Sequence, residues 1–236
     1  MKSFLKAAAM AALLTATGAQ AADLAGGYKD APPAYAETWW NAGDIFVRLR
    51  GEALIPNVST NSWNGAPRNA DVDVDTVGIP EIDLSYFITK NIAIEAICCY
   101  AWTTVHTGGS IGNLGTLGDT GLIPFTVMLQ YHFDGFGAFK PYLGVGGNYT
   151  IFLNESAKGH FRDFSLQNAG GVAFQAGFDY HLSGNWFMNV DVKQYILGTD
   201  ASVYMGGNRI TTHVNLDPTL VGAGIGYRFG NYVPLK

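Results

Sequence analysis

Three carboxylates interrupt the hydrophobic runs of the segment Pro80–Tyr100, namely Glu81, Asp83 and Glu95. Carboxyl groups in apolar surroundings can act as general acids and bases. In a β-strand, however, successive side chains point to opposite faces. Two strands joined by a turn at 89–91 would keep all three carboxylates on one face and leave the opposite face uncharged. The charged face therefore needs a polar environment, and the rest of the chain must indicate which one.

Other residues that could support chemistry lack the required spacing. The run Asp71–Asp75 begins like a calcium-binding loop, but Thr76 and Ile82 occupy the positions of the required glycine and final glutamate. The five histidines show no metal-ligand spacing, and no nucleophile is recognisably paired with a histidine. The adjacent Cys98 and Cys99 are predicted to be free thiols. We therefore expect no enzyme activity, no metal and no cofactor.

The N-terminus has the pattern of a secretory signal. Lys2 and Lys6 precede the apolar run 7–14, and the small residues around 19–21 form a cleavage site. The apolar run is too short for a membrane anchor. Loss of the predicted signal peptide, 1–21, takes the net charge from −5 to −7. An exported acidic chain gives no support to nucleic-acid binding.

Eight segments with alternating polarity follow the signal peptide. They are predicted as strands at 44–54, 77–88, 91–102, 122–133, 141–153, 171–182, 186–197 and 218–229. Long connections at 55–76, 103–121, 154–170 and 198–217 alternate with short ones at 89–91, 134–140 and 183–185. This pattern predicts an all-β fold, an eight-stranded antiparallel up-and-down transmembrane β-barrel. The barrel would span 44–229, preceded by a periplasmic segment at 22–43 and followed by a C-terminal tail at 230–236.

One parity of these strands is apolar throughout. It carries no charge, and Gln194 is its one strongly polar residue. A charge facing lipid near the bilayer midplane costs about 2–4 kcal/mol, so this parity is predicted to face lipid. Aromatic residues at both ends of the strands fit the two membrane interfaces. A soluble lipocalin-like barrel would show the reverse arrangement, with an apolar interior and a charged exterior.

The other parity collects the charges and is predicted to face the lumen. These residues form a predicted polar plug that comprises Arg48, Arg50, Glu52, Glu81, Asp83, Glu95, Gln130, His132, Asp179, Asp191, Lys193 and Arg228. An eight-stranded barrel is only wide enough for side chains to fill it. Unpaired buried charges are very costly, so these groups are expected to neutralise one another.

Inward positions nearer the long connections are apolar instead. They form a predicted cavity for an apolar ligand, lined by Leu54, Val77, Ile79, Ile97, Met128, Phe152, Leu197 and Leu220. The alternative is a uniformly packed barrel in which these side chains only fill space.

Several segments together resemble OmpW-family outer-membrane proteins. They are Asp44–Arg50, Pro80–Phe87, Asn91–Glu95, Leu129–Phe133, Lys140–Gly146, Asn148–Thr150, Asn185–Lys193 and Gly224–Phe229. The resemblance implies an eight-stranded barrel whose narrow, partly hydrophobic interior admits small apolar molecules and releases them sideways into the membrane. The residues after Phe229 depart from the usual terminal aromatic of such barrels, and no gate residue can be carried over to the loops.

The hypothesis is a bacterial outer-membrane barrel that binds or passively passes a small hydrophobic ligand, with outer-membrane lipids around it. The first alternative is a structural or adhesive barrel whose long loops bind partners, such as the loop 56–76 with an exposed Trp63. A membrane enzyme acting on lipids is the second alternative. It would need a nucleophile beside a histidine at the outer rim.

Overall fold

The computed structural model describes residues 39–60 and 63–230. The predicted signal peptide, most of the predicted periplasmic segment and all but the first residue of the predicted tail lie outside these residues. The described strands are β1 (Ile45–Ile55), β2 (Ser59–Thr60), β3 (Ala70–Val74), β4 (Val77–Phe87), β5 (Ile92–Cys99), β6 (Ala101–Gly109), β7 (Thr116–His132), β8 (Phe139–Ala157), β9 (Phe161–Leu166), β10 (Ala169–Ser183), β11 (Trp186–Met205), β12 (Asn208–Asn215) and β13 (Thr219–Phe229). A short 3₁₀-helix spans Gly112–Leu114. None of the described residues form a helix long and apolar enough to cross a membrane.

Eight of these strands close into an antiparallel barrel. The order around the wall is β1, β4, β5, β7, β8, β10, β11 and β13, and β13 pairs with β1 to complete the ring. The short connections all lie at one end, which is the periplasmic end in barrels of this type. At one of them Gly184 adopts φ +59°, a left-handed conformation that glycine tolerates without strain. The predicted eight-stranded up-and-down barrel is confirmed.

The two faces of the wall have the polarity expected of a membrane barrel. On the outside, Leu49 and Val127 are each 57% exposed. On the inside, Arg48 and Asp83 are 0% and 1% exposed. An apolar outer face and a buried charged interior are stable when lipid covers the outer face, because the apolar side chains are then kept out of water.

The long connections predicted as loops are mostly strand, so those loop boundaries were wrong. β7 already begins at Thr116, β8 runs to Ala157 and β11 continues to Met205. Alternation persists in these segments, but the outward residues become polar, as in Asp73 and His106 of the paired strands β3 and β6. The change of polarity marks the height at which the wall leaves the lipid, and not the end of the strand.

Candidate functional site in the barrel lumen

The barrel register brings the inward charges to one level of the lumen. Arg48 lies opposite Asp83, and Arg50 lies opposite Glu81, across the ladder between β1 and β4. Closure of the ring also joins distant parts of the chain, because Arg48 reaches Asp179, 131 residues away. We call this level the charged layer.

Arg48 cross-links three strands within the charged layer. Its Nη1 lies 2.9 Å from Asp83 and donates to the Ser85 hydroxyl at 2.7 Å. Its Nε and Nη2 donate to the two carboxylate oxygens of Asp179 at 3.1 and 2.9 Å. A bidentate pair of this kind fixes both the position and the orientation of the guanidinium.

Arg50 of β1 and Lys193 of β11 bridge the same acids from two strands that β13 separates. The Nη1 of Arg50 lies 2.6 Å from Asp191, and its Nη2 lies 2.7 Å from Glu81. The Nζ of Lys193 donates to Glu81 at 2.9 Å and to Glu52 at 2.7 Å. Each of these cations is therefore shared among several carboxylates.

Amide side chains connect the remaining groups of the layer. Gln130 donates to Glu95 at 2.8 Å and to Gln175 at 2.9 Å, and Gln175 donates to Asp191 at 2.7 Å. A ring nitrogen of His132 lies 3.0 Å from the amide oxygen of Gln130. These hydrogen bonds extend the network across the lumen.

The charged layer contains twice as many carboxyl groups as cations. Six acids, Glu52, Glu81, Asp83, Glu95, Asp179 and Asp191, surround Arg48, Arg50 and Lys193, and all nine residues are 3% exposed or less. Because the acids are in excess and share the cations, removal of one cation leaves its carboxyl groups with fewer cations to share. Removal of one acid leaves every cation still paired.

An aromatic floor lies beneath the charged layer, at the periplasmic end. Trp39 and Trp40 pack against Phe46, Phe87 and Phe187, and all five residues are 3% exposed or less. The rings of Trp39 and Phe46 stack with centroids 5.3 Å apart. The two tryptophans precede the first strand, so the chain fills the barrel mouth before it enters the wall. Strand alternation gave no signal for the two tryptophans.

Two further cations belong to the floor. Lys140, which was absent from the predicted plug, is buried with its Nζ 4.7 Å from the centre of a Trp40 ring. Arg228 lies 3.4 Å from Asp44 and donates to the backbone carbonyl of Trp39. The ammonium of Lys140 thus lies over an aromatic face, which attracts cations. The guanidinium of Arg228 pairs with Asp44.

An apolar layer lies above the charged layer. Seven residues of the predicted cavity belong to one buried cluster, and Val77 packs against it; the seven are Leu54, Ile79, Ile97, Met128, Phe152, Leu197 and Leu220. The same cluster includes Cys99 and Tyr195, whose hydroxyl lies 3.3 Å from that of Thr126.

A cavity of about 90 Å³ opens above this apolar layer. Leu54, Phe152, Leu197 and Leu220 border it, whereas Val77, Ile79, Ile97 and Met128 do not. Its other walls are mainly apolar and include Trp63, Val105, Leu117, Leu122, Pro124, Phe164 and Val203. An apolar cavity of about 150 Å³ holds a benzene molecule, so a molecule of that size or larger enters this cavity only when side chains move.

Trp63 does not project from the surface as expected. It is half-buried, packs against the apolar residues above the membrane and borders the cavity. The prediction was wrong because the segment around Trp63 lies against β12, to which it is joined by a bridge between Asn64 and Thr211.

The remaining polar candidates lie on the outside of the wall. Asp71 and Asp73 are exposed on β3, and the carboxylate of Asp75 lies 3.1 Å from Nε2 of His106. Within residues 39–60 and 63–230, no group of three His, Cys, Asp or Glu side chains could hold a metal ion. Cys98 and Cys99 are free thiols.

Comparison with known proteins agrees with this architecture. The outer-membrane protein y4mB of Sinorhizobium fredii, described as uncharacterized, is 39% identical over 228 residues, 94% of this chain and 95% of the relative. Outer membrane protein W of Vibrio cholerae is 32% identical over 196 residues, 79% of this chain and 89% of the relative. The crystal structure of OprG from Pseudomonas aeruginosa superposes with a TM-score of 0.75 at 29% identity, covering 81% of this chain and 98% of that chain.

The profile of the OmpW family matches residues 41–229, which include the whole barrel and the four residues before its first strand. These relatives are named outer-membrane proteins, and the lipid-facing wall described above requires a membrane. The chain therefore belongs to the OmpW family of outer-membrane β-barrel proteins.

Proposed function

We propose that the barrel passively carries small hydrophobic molecules from the cell exterior into its upper cavity and releases them sideways into the membrane. The observation that carries this proposal is the apolar cavity standing on a closed charged layer. An apolar molecule gains free energy by leaving water for such a cavity, at roughly 25 cal/mol per Å² of buried apolar surface. The same molecule would have to displace paired charges to continue downward.

The charged layer and the aromatic floor both favour an exit through the wall over passage along the barrel axis. The charged layer and the aromatic floor occupy the lumen one above the other, and both are buried. Passage straight through the barrel would break charge pairs whose separation in a low-dielectric interior is strongly unfavourable. A sideways exit avoids that cost.

A break in the wall supports the position of the exit. The ladder of β7 with β5 ends at Cys98 and Phe125, and the ladder with β6 resumes at Ala101 and Leu122. Pro124 lies in this interval, borders the cavity and has no backbone N–H to donate. We propose that the molecule leaves between these strands.

No observation favours the adhesive alternative. Most residues of the expected loops form strands of the wall, and Trp63 borders the cavity. Nor do the contacts of the described residues at the outer rim favour a lipid-modifying enzyme over a transport barrel.

Whole-cell uptake of n-octane tests the proposal. Cells that contain an intracellular alkane-oxidising enzyme would be compared with and without the barrel in their outer membrane, and the oxidised product would be measured over time. We expect the barrel to raise the rate of product formation, and Leu197→Trp to abolish the increase by filling the cavity. The control is Leu182→Trp, the same substitution at a position that is 53% exposed toward lipid. Equal rates with and without the barrel would overturn the proposal.

A further inference from the structure

Above the lipid, the wall consists of two separate sheets. β3, β6, β7 and β8 form one of them. β9, β11, β12 and β2 form the other. Among the described strands, β9 pairs only with β11, and no ladder joins it to β8 although a turn at 158–160 connects the two. The edges of β8 and β9 therefore meet without a backbone ladder, and we call this seam in the extracellular wall the slit.

The slit is closed at both ends. At its lower end the backbone N–H of Phe152 donates to the side-chain oxygen of Asn168 at 3.1 Å. At its upper end the N–H of Lys158 donates to the carbonyl of Leu117 at 2.9 Å, and the Lys158 ammonium pairs with Asp119. The turn is thus held to β7, in the sheet that contains β8, while β9 belongs to the other sheet.

Phe164 fills the slit from the inside. The residue is 6% exposed, belongs to β9 and packs across the slit over Gly118 of β7. A Cβ atom at Gly118 would lie 2.8 Å from Cδ1 of the Phe164 ring and 2.5 Å from the carbonyl oxygen of Ser156. Only a glycine leaves room for the ring in this position. Phe164 also borders the cavity, so the cavity ends at the inner side of the slit.

We propose that the slit between β8 and β9 is the entrance through which apolar molecules reach the cavity, and that Phe164 is its gate residue. This inference rests on the proposed function and adds to it the route of entry and the residue that gates it. Opening here breaks apolar contacts and no backbone ladder, whereas an opening between β7 and β8 or between β11 and β12 would break a continuous row of hydrogen bonds. The seam on the opposite side, between β2 and β3, is bridged by a hydrogen bond of 2.7 Å from Thr60 to Asp71, which makes it more polar.

A cleavable cross-link tests the entrance directly. Ser156→Cys and Ser165→Cys would place thiols on the two edges of the slit, in a Cys98→Ala/Cys99→Ala background, and a short bis-methanethiosulfonate would join them. The matched control joins Tyr204→Cys to Arg209→Cys, which face each other across the ladder of β11 and β12 and do not border the cavity. We expect the slit linker to lower n-octane uptake to the level of cells without the barrel, and a reductant to restore it. The control linker should leave uptake unchanged.

A substitution at the gate provides a second, independent readout. Phe164→Ala should raise the rate of n-octane uptake on the order of tenfold, because the closed state loses its main contact across the slit. Ile210→Ala is the control, since Ile210 is 3% exposed and lies in the same apolar cluster but on β12. Both variants must retain the heat-dependent gel migration of a folded barrel.

The outcomes separate this inference from the proposed function. Uptake that survives the slit linker while Leu197→Trp still abolishes it would overturn the entrance and leave the transport function in place. Uptake that is unaffected by Leu197→Trp as well would overturn both. Equal gains for Phe164→Ala and Ile210→Ala would also contradict a gate at Phe164.

Discussion

The lower and upper halves of the lumen share the strands β1 and β11 but differ in what the inward side chains do. Below, Arg48, Arg50 and Lys193 are each shared among several carboxylates, and the layer is closed. Above, Leu54 and Leu197 border a cavity. The barrel wall alone therefore determines neither a seal nor a cavity. Charged side chains long enough to meet across the axis close the lumen, whereas shorter apolar side chains leave space between them.

The difference also has an energetic side. Charged groups in the lower half are stable only as a complete network, since each buried charge depends on its partners. Apolar side chains in the upper half can be incompletely packed, because an unfilled apolar space costs far less free energy than an unpaired buried charge. Substitutions in the two halves should therefore differ in their cost to stability and in their effect on uptake.

Removal of a shared cation should damage the lower half most. Arg50→Met should lower the free energy of unfolding by about 3–5 kcal/mol, since it leaves Asp191 and Glu81 to share the single ammonium of Lys193. Urea unfolding in lipid vesicles, followed by tryptophan fluorescence, would measure the change. A loss below about 1 kcal/mol, the range of exposed ion pairs, would mean that the charged layer is not a cooperative network.

Truncation of a packed residue should cost more than truncation of a residue that borders the cavity. Met128 is 0% exposed and lies outside the cavity lining, so Met128→Ala should cost about 2–5 kcal/mol. Leu197→Ala should cost less, because one side of Leu197 already faces empty space. The same unfolding assay compares the two variants. Equal losses would indicate that the upper half is as tightly packed as the rest.

Restoration of a backbone donor at the exit should slow release. Pro124→Ala adds an N–H between the ladder that ends at Phe125 and the one that resumes at Leu122. We expect n-octane uptake to fall on the order of tenfold as the interval closes. Ile123→Ala, at the neighbouring position, serves as control and should retain uptake. Unchanged uptake in Pro124→Ala would place the exit elsewhere.

Removal of one acid should have the smallest effect. Glu95 lies 3.4 Å from Arg48 and 3.3 Å from Arg50, and both guanidiniums have closer carboxylate partners. Glu95→Gln should therefore change the free energy of unfolding by about 1 kcal/mol or less, the size of one ordinary hydrogen bond. A loss as large as that of Arg50→Met would show that the acids are not in excess.

Strand alternation was sufficient to predict the barrel and the facing of its charges, because the period of two is a local property of the chain. It placed Arg48 and Glu95 inward, as observed. The partners within the charged layer could not be predicted, since they depend on ring closure and register. Arg228 illustrates this, because it pairs with Asp44 at the floor.

The features that escaped prediction lie outside the regular membrane strands. Trp39 and Trp40 enter the lumen from a segment without alternation, and Phe164 lies in a segment expected to be a loop. An apolar cavity was predicted, but the residues that border it could not be. Ile97 and Leu220 are both apolar and inward, yet only Leu220 borders the cavity, because the space depends on the side chains across the barrel.

Methyl NMR of the barrel in lipid nanodiscs, titrated with n-octane, would test whether n-octane binds in the apolar cavity above the charged layer. The cavity predicts saturable shifts of the Leu54, Leu197 and Leu220 methyl signals, which border the cavity. The lipid-facing Leu49 and Leu182 methyls, 57% and 53% exposed, should respond only in proportion to n-octane dissolved in the lipid. Shifts confined to Leu49 and Leu182, with none at the three cavity residues, would contradict an apolar binding cavity above a closed charged layer.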